Sequence, residues 1–450
     1  MIEFTTDVVR GILDENLGRV LHIEQQARWR PAWFATVERD GKQREVCVRG
    51  ERVDALMAFT LQHEMTFQGL LHDAGIPVAE VHLWSGDPRF YVMDKLPGTQ
   101  DFGNVSAASR RQIVDEYLEA LARLHALDIG PFVDAGIFHA DDPAASGMAG
   151  MFEYERTYRE TKVGPDPLLE FALGWLRRHP VDSKGRQAPV VWDSGQFHHD
   201  GEHLVGLLDL ELGHVGDPMI DLGAWRMRGT TYDYGQFDEL YARYAEITGV
   251  PVDLDAIEWH HIAFTLSNQL SFHRALVEPT GGSNYMMNLY WCCLTNRMCM
   301  EAIAENLGIS LETLAAPDAG ERTPVSTALA YLVQSMQEFP TSDETTAYQA
   351  RLGFRLARHL QRFDEIGRQV QDDDLTDLER ILGGRPSSWL AGEEQLEKFV
   401  LADDGRHDAE LVQLFNRRTQ RMQMLLGPVG SAMAKHYQTQ PFRPSALASA

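Results

Sequence analysis

The chain has 450 residues and a formal net charge of −25, from 41 Lys and Arg against 66 Asp and Glu. So acidic a surface repels phosphate backbones and anionic lipids, which argues against nucleic-acid and membrane-surface partners. No apolar run approaches the roughly 20 residues that span a bilayer, and the N-terminus lacks the features of a signal peptide, so we expect a cytoplasmic protein.

Cysteine usage agrees with that compartment. Four cysteines are few for this length, and they show no metal-ligand spacing. They are Cys47, Cys292, Cys293 and Cys299. We therefore expect buried or free thiols and neither a disulfide framework nor a zinc site.

A small antiparallel sheet with one inserted helix is predicted for residues 1–96. Alternating apolar residues predict strands over 19–24, 33–39, 44–49, 81–84 and 90–93. Asp40-Gly41 is typical of a tight hairpin turn between the second and third strands. Helices are predicted over 5–17, before the sheet, and over 53–74, where apolar residues recur at helical spacing.

The rest of the chain has mainly helical periodicity, with two short strand-like runs between residues 190 and 208. Helices are predicted over 106–127, 150–160, 166–178, 235–248, 254–276, 283–306, 325–338, 344–369, 374–382, 391–402 and 407–426. A Pro, Gly and acid-rich stretch at 316–324 is typical of a linker. The sequence therefore predicts a helical lobe over 97–315, a C-terminal helical domain over 325–437 and a flexible tail over 438–450.

Residues 190–222, VVWDSGQFHHDGEHLVGLLDLELGHVGDPMIDL, concentrate acidic positions around two apolar runs. Asp193 lies in a tight turn, and Asp209 ends the run over 204–208. Magnesium-assisted phosphoryl transfer needs two such carboxylates, one facing the nucleophile and one holding the metal on the nucleotide phosphates.

This segment resembles the aminoglycoside phosphotransferase/choline kinase family, as do LARLHALD at 121–128 and the order of elements over about 15–305. The resemblance implies an α+β, bilobal, protein-kinase-like fold. It also implies ATP, with GTP as an alternative, Mg²⁺, and a small-molecule substrate with a hydroxyl group.

The resemblance assigns roles to the acidic segment. Asp193 would orient the attacking hydroxyl or accept its proton, and Asp209 would bind the metal. The family usually has His-Gly before this first Asp and Asn five residues after it, whereas this chain has Val191-Trp192 and His198. A loss of about two residues would place Gln196 in the Asn position as a second metal ligand. The alternative is that Asp193 only caps a turn.

The three later acids of the segment have weaker assignments. Glu211 could contact metal or substrate, or could be a solvated surface residue. Asp217 and Asp221 are expected to support the loop through hydrogen bonds to its backbone.

Nucleotide contacts are implied in the N-terminal sheet. Arg49 occupies the position of the usual phosphate-anchoring Lys, as in phosphotransferases associated with acyl-CoA dehydrogenases, and Glu64 would be its partner. No glycine lies between the first two strands, so Arg28 and Arg30 could contact phosphate there, or could only solvate the turn. The segment FYVMDKLPG at 90–98 resembles a hinge in which the backbone from Met93 to Lys95 would bind adenine.

The sequence thus predicts an ATP- and Mg-dependent phosphotransferase. A hydroxyacyl-CoA or related metabolite is the leading acceptor, and an aminoglycoside or aminoalcohol is the runner-up. The changed loops also fit a catalytically weak, pseudokinase-like binding protein. The C-terminal region resembles a small helical domain that accompanies hydroxyacyl-CoA kinases, or it is a packing module through which two copies could form a homodimer.

Overall fold

A computed structural model describes residues 4–28, 30–52, 55–280, 283–427 and 439–442. Its N-terminal part is a five-stranded antiparallel sheet in the order β1-β2-β3-β5-β4. The strands are β1 (Arg19–Gln25), β2 (Ala32–Arg39), β3 (Lys42–Gly50), β4 (Val81–Gly86) and β5 (Arg89–Asp94). Helix α1 (Thr6–Asn16) precedes them, and α2 (Leu61–Asp73) joins β3 to β4.

The sheet forms where the sequence predicts it. Asp40 and Gly41 both have positive φ, 55° and 74°, which matches the right-handed twist of the β2–β3 hairpin. Alternate residues of β2 and β3, including Trp33 and Val46, enter an apolar cluster closed by α1. The predicted antiparallel N-terminal sheet is confirmed.

The predicted helix over 53–74 is too long at its start. Residues 55–60 are not helical, and α2 begins after Thr60, whose side chain accepts a hydrogen bond from the backbone of His63. This N-cap ends the irregular segment that follows β3. Residues 53 and 54 lie outside the described residues.

The second lobe is helical with four short strands. Its helices are α3 (Ala107–His125), α4 (Gly130–Asp134), α5 (Ser146–Thr161), α6 (Pro167–Arg178), α7 (Met219–Arg228), α8 (Phe237–Thr248), α9 (Leu254–Thr265), α10 (Ser267–Val277) and α11 (Tyr285–Leu307). Strand β6 (Ala188–Val190) pairs with β9 (His214–Gly216), and β7 (Phe197–His199) pairs with β8 (Leu204–Leu207). The predicted helix over 254–276 is two helices, because the chain turns at Leu266.

Residues 316–323 have no helix or strand, and Pro324, the last residue of the predicted linker, begins the first of four further helices in the described part of the chain. They are α12 (Pro324–Gln337), α13 (Glu344–Leu382), α14 (Trp389–Ala402) and α15 (Asp408–Leu425). The prediction of separate helices over 344–369 and 374–382 is wrong. Neither Pro nor Gly interrupts the chain between them, and buried Val370 and Asp374 hold the continuous helix against its neighbours.

The C-terminal helices share a core with the lobe before them. Leu396 of α14 and Phe415 of α15 belong to the same apolar cluster as Trp175 of α6 and Leu294 of α11. The domain limits drawn from the sequence stay a prediction. Within the predicted tail, described residues 439–442 contact the lobe, since the Phe442 amide donates to Glu305 (2.6 Å).

All four cysteines are buried and free, as predicted. In the described part of the chain, no helix has the length and apolar character needed to cross a membrane.

Candidate active site

A cleft of about 1130 Å³ lies between the N-terminal sheet and the helical lobe. Its sheet side is formed by β3, β5 and the segment after β5. Its opposite side is formed by the Asp193 turn, by residues 207–212 and by α10 and α11. The residues predicted for nucleotide and metal binding all line this cleft. Met93 and Lys95, which were expected to act through their backbone, are among them.

The Asp193 turn is held from below by a buried carboxylate. Asp221, on the first turn of α7, accepts hydrogen bonds from the backbone N–H groups of Val191 (3.1 Å) and Trp192 (2.7 Å). Asp221 also lies 3.0 Å from the His125 ring and is fully buried. These bonds stabilise the positive φ of 59° at Trp192. The predicted supporting role of Asp221 therefore matches the geometry.

The turn closes through Gly195, which has a φ of 88°. Its N–H donates to the Tyr117 hydroxyl (2.7 Å), and its carbonyl accepts from the Tyr234 hydroxyl (2.6 Å). A Cβ at this position would overlap the Trp225 ring. Only glycine fits both the conformation and the space.

Gln196 connects the two principal acids. Its side-chain amide nitrogen donates to Asp193 (2.7 Å) and to Asp209 (3.2 Å). Asp193 and Asp209 therefore lie on either side of one amide. The 190–222 segment brings its two strands together to make this arrangement, as its spacing predicted.

Arg49 on β3 joins the sheet to the metal-binding candidates. Its Nε lies 2.6 Å from Glu64 on α2, and its Nη2 lies 2.6 Å from Asp209. Glu64 also accepts from the Tyr91 hydroxyl (3.1 Å) and is almost fully buried. The alternative that Arg49 and Glu64 are separate surface charges is wrong.

Glu211 is the centre of a second group of charges. Arg30 donates to it at 2.6 Å, Arg49 at 3.2 Å and Arg52 at 3.4 Å. Arg30 also lies 3.4 Å from Glu64 and is buried. Solvated roles for Glu211 and Arg30 are therefore wrong. Arg28, by contrast, is exposed where it lines the cleft.

The two acids beside Gln196 have opposite electrostatic environments. Burial raises the pKa of Asp193 to about 6, although the positive charge of Arg228 opposes this. Burial also acts to raise the pKa of Asp209, but Arg49 and Arg30 hold that pKa well below its usual range. A pair of acids separated in this way suits one proton-handling group and one permanently charged group.

Arg228 was missed in the sequence. It ends α7, and its guanidinium donates to both carboxylate oxygens of Asp193, with Nε at 2.8 Å and Nη2 at 2.6 Å from Oδ1. The two residues are 35 positions apart. No motif marks Arg228, since only the packing of α7 under the turn brings it to Asp193.

The hinge segment differs in detail from the prediction. The backbone N–H groups of Asp94 and Lys95 donate to Glu80 (2.9 Å) and Glu45 (3.1 Å), so the sheet already uses them. Leu96 is the next residue, and it lines the cleft. Within the described ranges, no hydrogen bond is made by its N–H. The Lys95 side chain lies over the Phe34 ring, 4.7 Å from its centroid.

A two-lobed fold with a sheet Arg–Glu pair above paired carboxylates defines a protein-kinase-like phosphotransferase. The model of the phosphotransferase enzyme family matches residues 31–260, which is more than half of the chain. The chain belongs to this family and is a small-molecule kinase that acts on a hydroxyl group.

The chain is also similar to several solved structures, at low sequence identity. A putative aminoglycoside phosphotransferase from Ralstonia eutropha is 16% identical, with a TM-score of 0.49 over 66% of this chain and 97% of that one. An aminoglycoside-3'-phosphotransferase of type VIII is 19% identical, with a TM-score of 0.43 over 58% and 98%. A macrolide 2'-phosphotransferase of type I is 20% identical, with a TM-score of 0.43 over 65% and 96%. No curated protein matches the chain in sequence.

Proposed function

We propose that the protein transfers the γ-phosphoryl group of ATP, with Mg²⁺, to the hydroxyl of a small metabolite. One observation carries the proposal, which is the amide of Gln196 donating to Asp193 and Asp209 within one cleft. Phosphoryl transfer depends mainly on positioning and on charge stabilisation, and these two acids supply both.

Asp193 is the group that receives the acceptor hydroxyl. With a pKa of about 6, its carboxylate is ionised near neutral pH and can accept a hydrogen bond from the attacking O–H. Its position in a turn fixed by Asp221 and Gly195 keeps it at one place in the cleft.

Asp209 and Gln196 fit a magnesium ion. Asp209 is held ionised, and an amide side chain beside it can turn its oxygen toward a cation. A hard, oxygen-preferring ion matches this donor set, and when bound it would neutralise charge on the nucleotide phosphates. Arg49 would leave Asp209 for phosphate oxygens while Glu64 keeps hold of its Nε.

The remaining nucleotide contacts follow from the cleft. Arg28 is exposed toward it and suits phosphate binding, whereas Arg30 fixes Glu64 and Glu211. The adenine would lie against Met93 and the Lys95 segment, with the Leu96 N–H as its backbone donor. GTP is the alternative nucleotide, and turnover measured with ATP and with GTP decides between them.

A hydroxyacyl-CoA or a related hydroxylated metabolite is the proposed acceptor. The test is phosphoryl transfer from labelled ATP with Mg²⁺ to a panel of hydroxyacyl thioesters, aminoalcohols and aminoglycosides. We expect transfer to the thioesters, and a loss of about 10²- to 10⁴-fold in Asp193→Asn, the usual contribution of a positioned base. Asp318→Asn, in the exposed linker, is the matched control. Equal turnover by Asp193→Asn and wild type would overturn the proposal.

A further inference from the structure

The acceptor half of the cleft has a lining of its own and adjoins the paired charges, since the Arg52 guanidinium lies 5.4 Å from the centroid of the Phe272 ring. It is lined by α10, by α11 and by Asn284, which directly precedes α11. Its apolar surface comes from Phe272, Met287 and Trp291. Among the described residues of α10 and α11 that line the cleft, none is acidic.

Two buried amides in this half lack partners for half of their hydrogen-bonding groups. Asn288 is 3% exposed and Asn284 is 6% exposed. Within the described part of the chain, no group pairs with Asn288 Nδ2 or with Asn284 Oδ1. A buried donor or acceptor without a hydrogen bond costs free energy, so such groups are usually satisfied by a ligand or by water.

The C-terminal helical region holds one of these amides. Asn284 Nδ2 donates to the hydroxyl of Tyr348 on α13 at 2.8 Å. That contact spans 64 residues and fixes the direction of the Asn284 carbonyl oxygen. The named residues of this half all follow residue 260, where the match to the family model ends, and Tyr348, which does not itself line the cleft, supports them through Asn284.

We propose that Asn284 and Asn288 bind the uncharged part of an acceptor, a segment that carries hydroxyl and amide or ester groups on an apolar chain, and that Tyr348 positions Asn284 for it. Asn288 would donate to a carbonyl of the acceptor, and Asn284 would accept from an N–H or O–H. The apolar chain would pack on Met287 and Trp291. A polycationic acceptor finds no carboxylate here to bind its amines.

This inference deepens the proposed function and rests on it. The experiment measures binding of 3-hydroxybutyryl-pantetheine, a neutral probe with hydroxyl, thioester and amide groups, by calorimetry on the full chain with AMP-PNP and Mg²⁺. Kanamycin is the polycationic comparison. We expect the neutral probe to bind more tightly than kanamycin.

Three variants test the residues. Asn284→Ala, Asn288→Ala and Tyr348→Phe should each weaken binding of the neutral probe by roughly 3- to 10-fold, the effect of one hydrogen bond. Their affinity for AMP-PNP should not change. Tyr331→Phe is the matched control, because Tyr331 lies in the same helical region and is 72% exposed.

The outcomes separate the two proposals. If the wild-type protein does not bind AMP-PNP, the proposed nucleotide-dependent function is refuted. Intact AMP-PNP binding with no binding of the neutral probe, with tighter binding of kanamycin, or with variants that bind the probe as wild type does, would overturn this inference alone. Tyr348→Phe also has a kinetic signature, since a positioning role raises KM for the acceptor and leaves KM for ATP unchanged.

Discussion

The guanidinium of Arg228 makes a two-pronged ion pair with Asp193, the acid that we propose receives the acceptor hydroxyl. Both groups are largely buried, with side-chain exposures of 19% and 12%. A planar, permanently charged partner fixes the carboxylate in orientation and opposes the rise in its pKa that burial causes. Arg228 therefore controls both the geometry and the protonation of Asp193.

The first prediction concerns pH. Activity needs ionised Asp193, so kcat/KM should fall as pH drops through the pKa of about 6. Removing the positive charge in Arg228→Gln removes an influence that lowers this pKa. The acidic limb should then move to higher pH by about 1 to 2 units. Profiles of kcat/KM between about pH 5 and 9 measure the shift. Arg228→Lys keeps the positive charge, so its acidic limb should lie close to that of the wild-type protein. An unmoved limb in Arg228→Gln would contradict the assignment.

The second prediction concerns Arg49. Arg49→Ala leaves Glu64 buried without its closest cation and removes the proposed phosphate contact. We expect kcat/KM to fall by about 10²- to 10³-fold. Nucleotide titrations should show weaker ATP binding. Arg89→Ala is the control, because Arg89 lies on β5 with an exposed side chain and pairs only at the surface with Glu51. Retention of full activity by Arg49→Ala would remove Arg49 from the nucleotide site.

The third prediction tests how the Asp193 turn is supported. Asp221→Ala removes the acceptor of two buried backbone N–H groups, those of Val191 and Trp192. Each group left unpaired costs about 1 to 3 kcal/mol. Chemical denaturation should show that loss in the free energy of unfolding, and kcat should fall because Asp193 is no longer held in place. A variant with lower kcat and unchanged stability would argue that Asp221 does not act through the backbone.

The fourth prediction uses a pair of glycines. Gly195→Ala and Gly201→Ala both place a side chain on a residue with positive φ, 88° and 104°. Only at Gly195 would the added Cβ overlap a buried ring, that of Trp225. Both variants should lose about 1 to 2 kcal/mol from backbone strain. Gly195→Ala should lose about 1 to 3 kcal/mol more from overpacking, together with most of its activity. Thermal melts and rate assays compare the two, and equal behaviour would count against the tight turn.

Local sequence patterns predict much of the N-terminal fold of this protein. Alternating apolar residues and the Asp40-Gly41 turn specified the N-terminal sheet, because strand pairing there is between neighbours in the chain. Their spacing and the family resemblance predict the acids at 193 and 209 as one site, and the pairing of the two short strands between them brings them close. The family resemblance predicts Arg49 and Glu64 as a pair, from their positions on a strand and on the next helix, and the structure brings them together.

Tertiary structure decided the rest. Arg228, Asn288 and Tyr348 lie on helices, and helical periodicity says at most which face is buried but not which other helix it meets. Arg228 reaches Asp193 only because α7 packs beneath the Asp193 turn. Tyr348 reaches Asn284 only because α13 returns to the acceptor side of the cleft. Contacts between residues this far apart depend on how whole helices pack, and no local pattern encodes them.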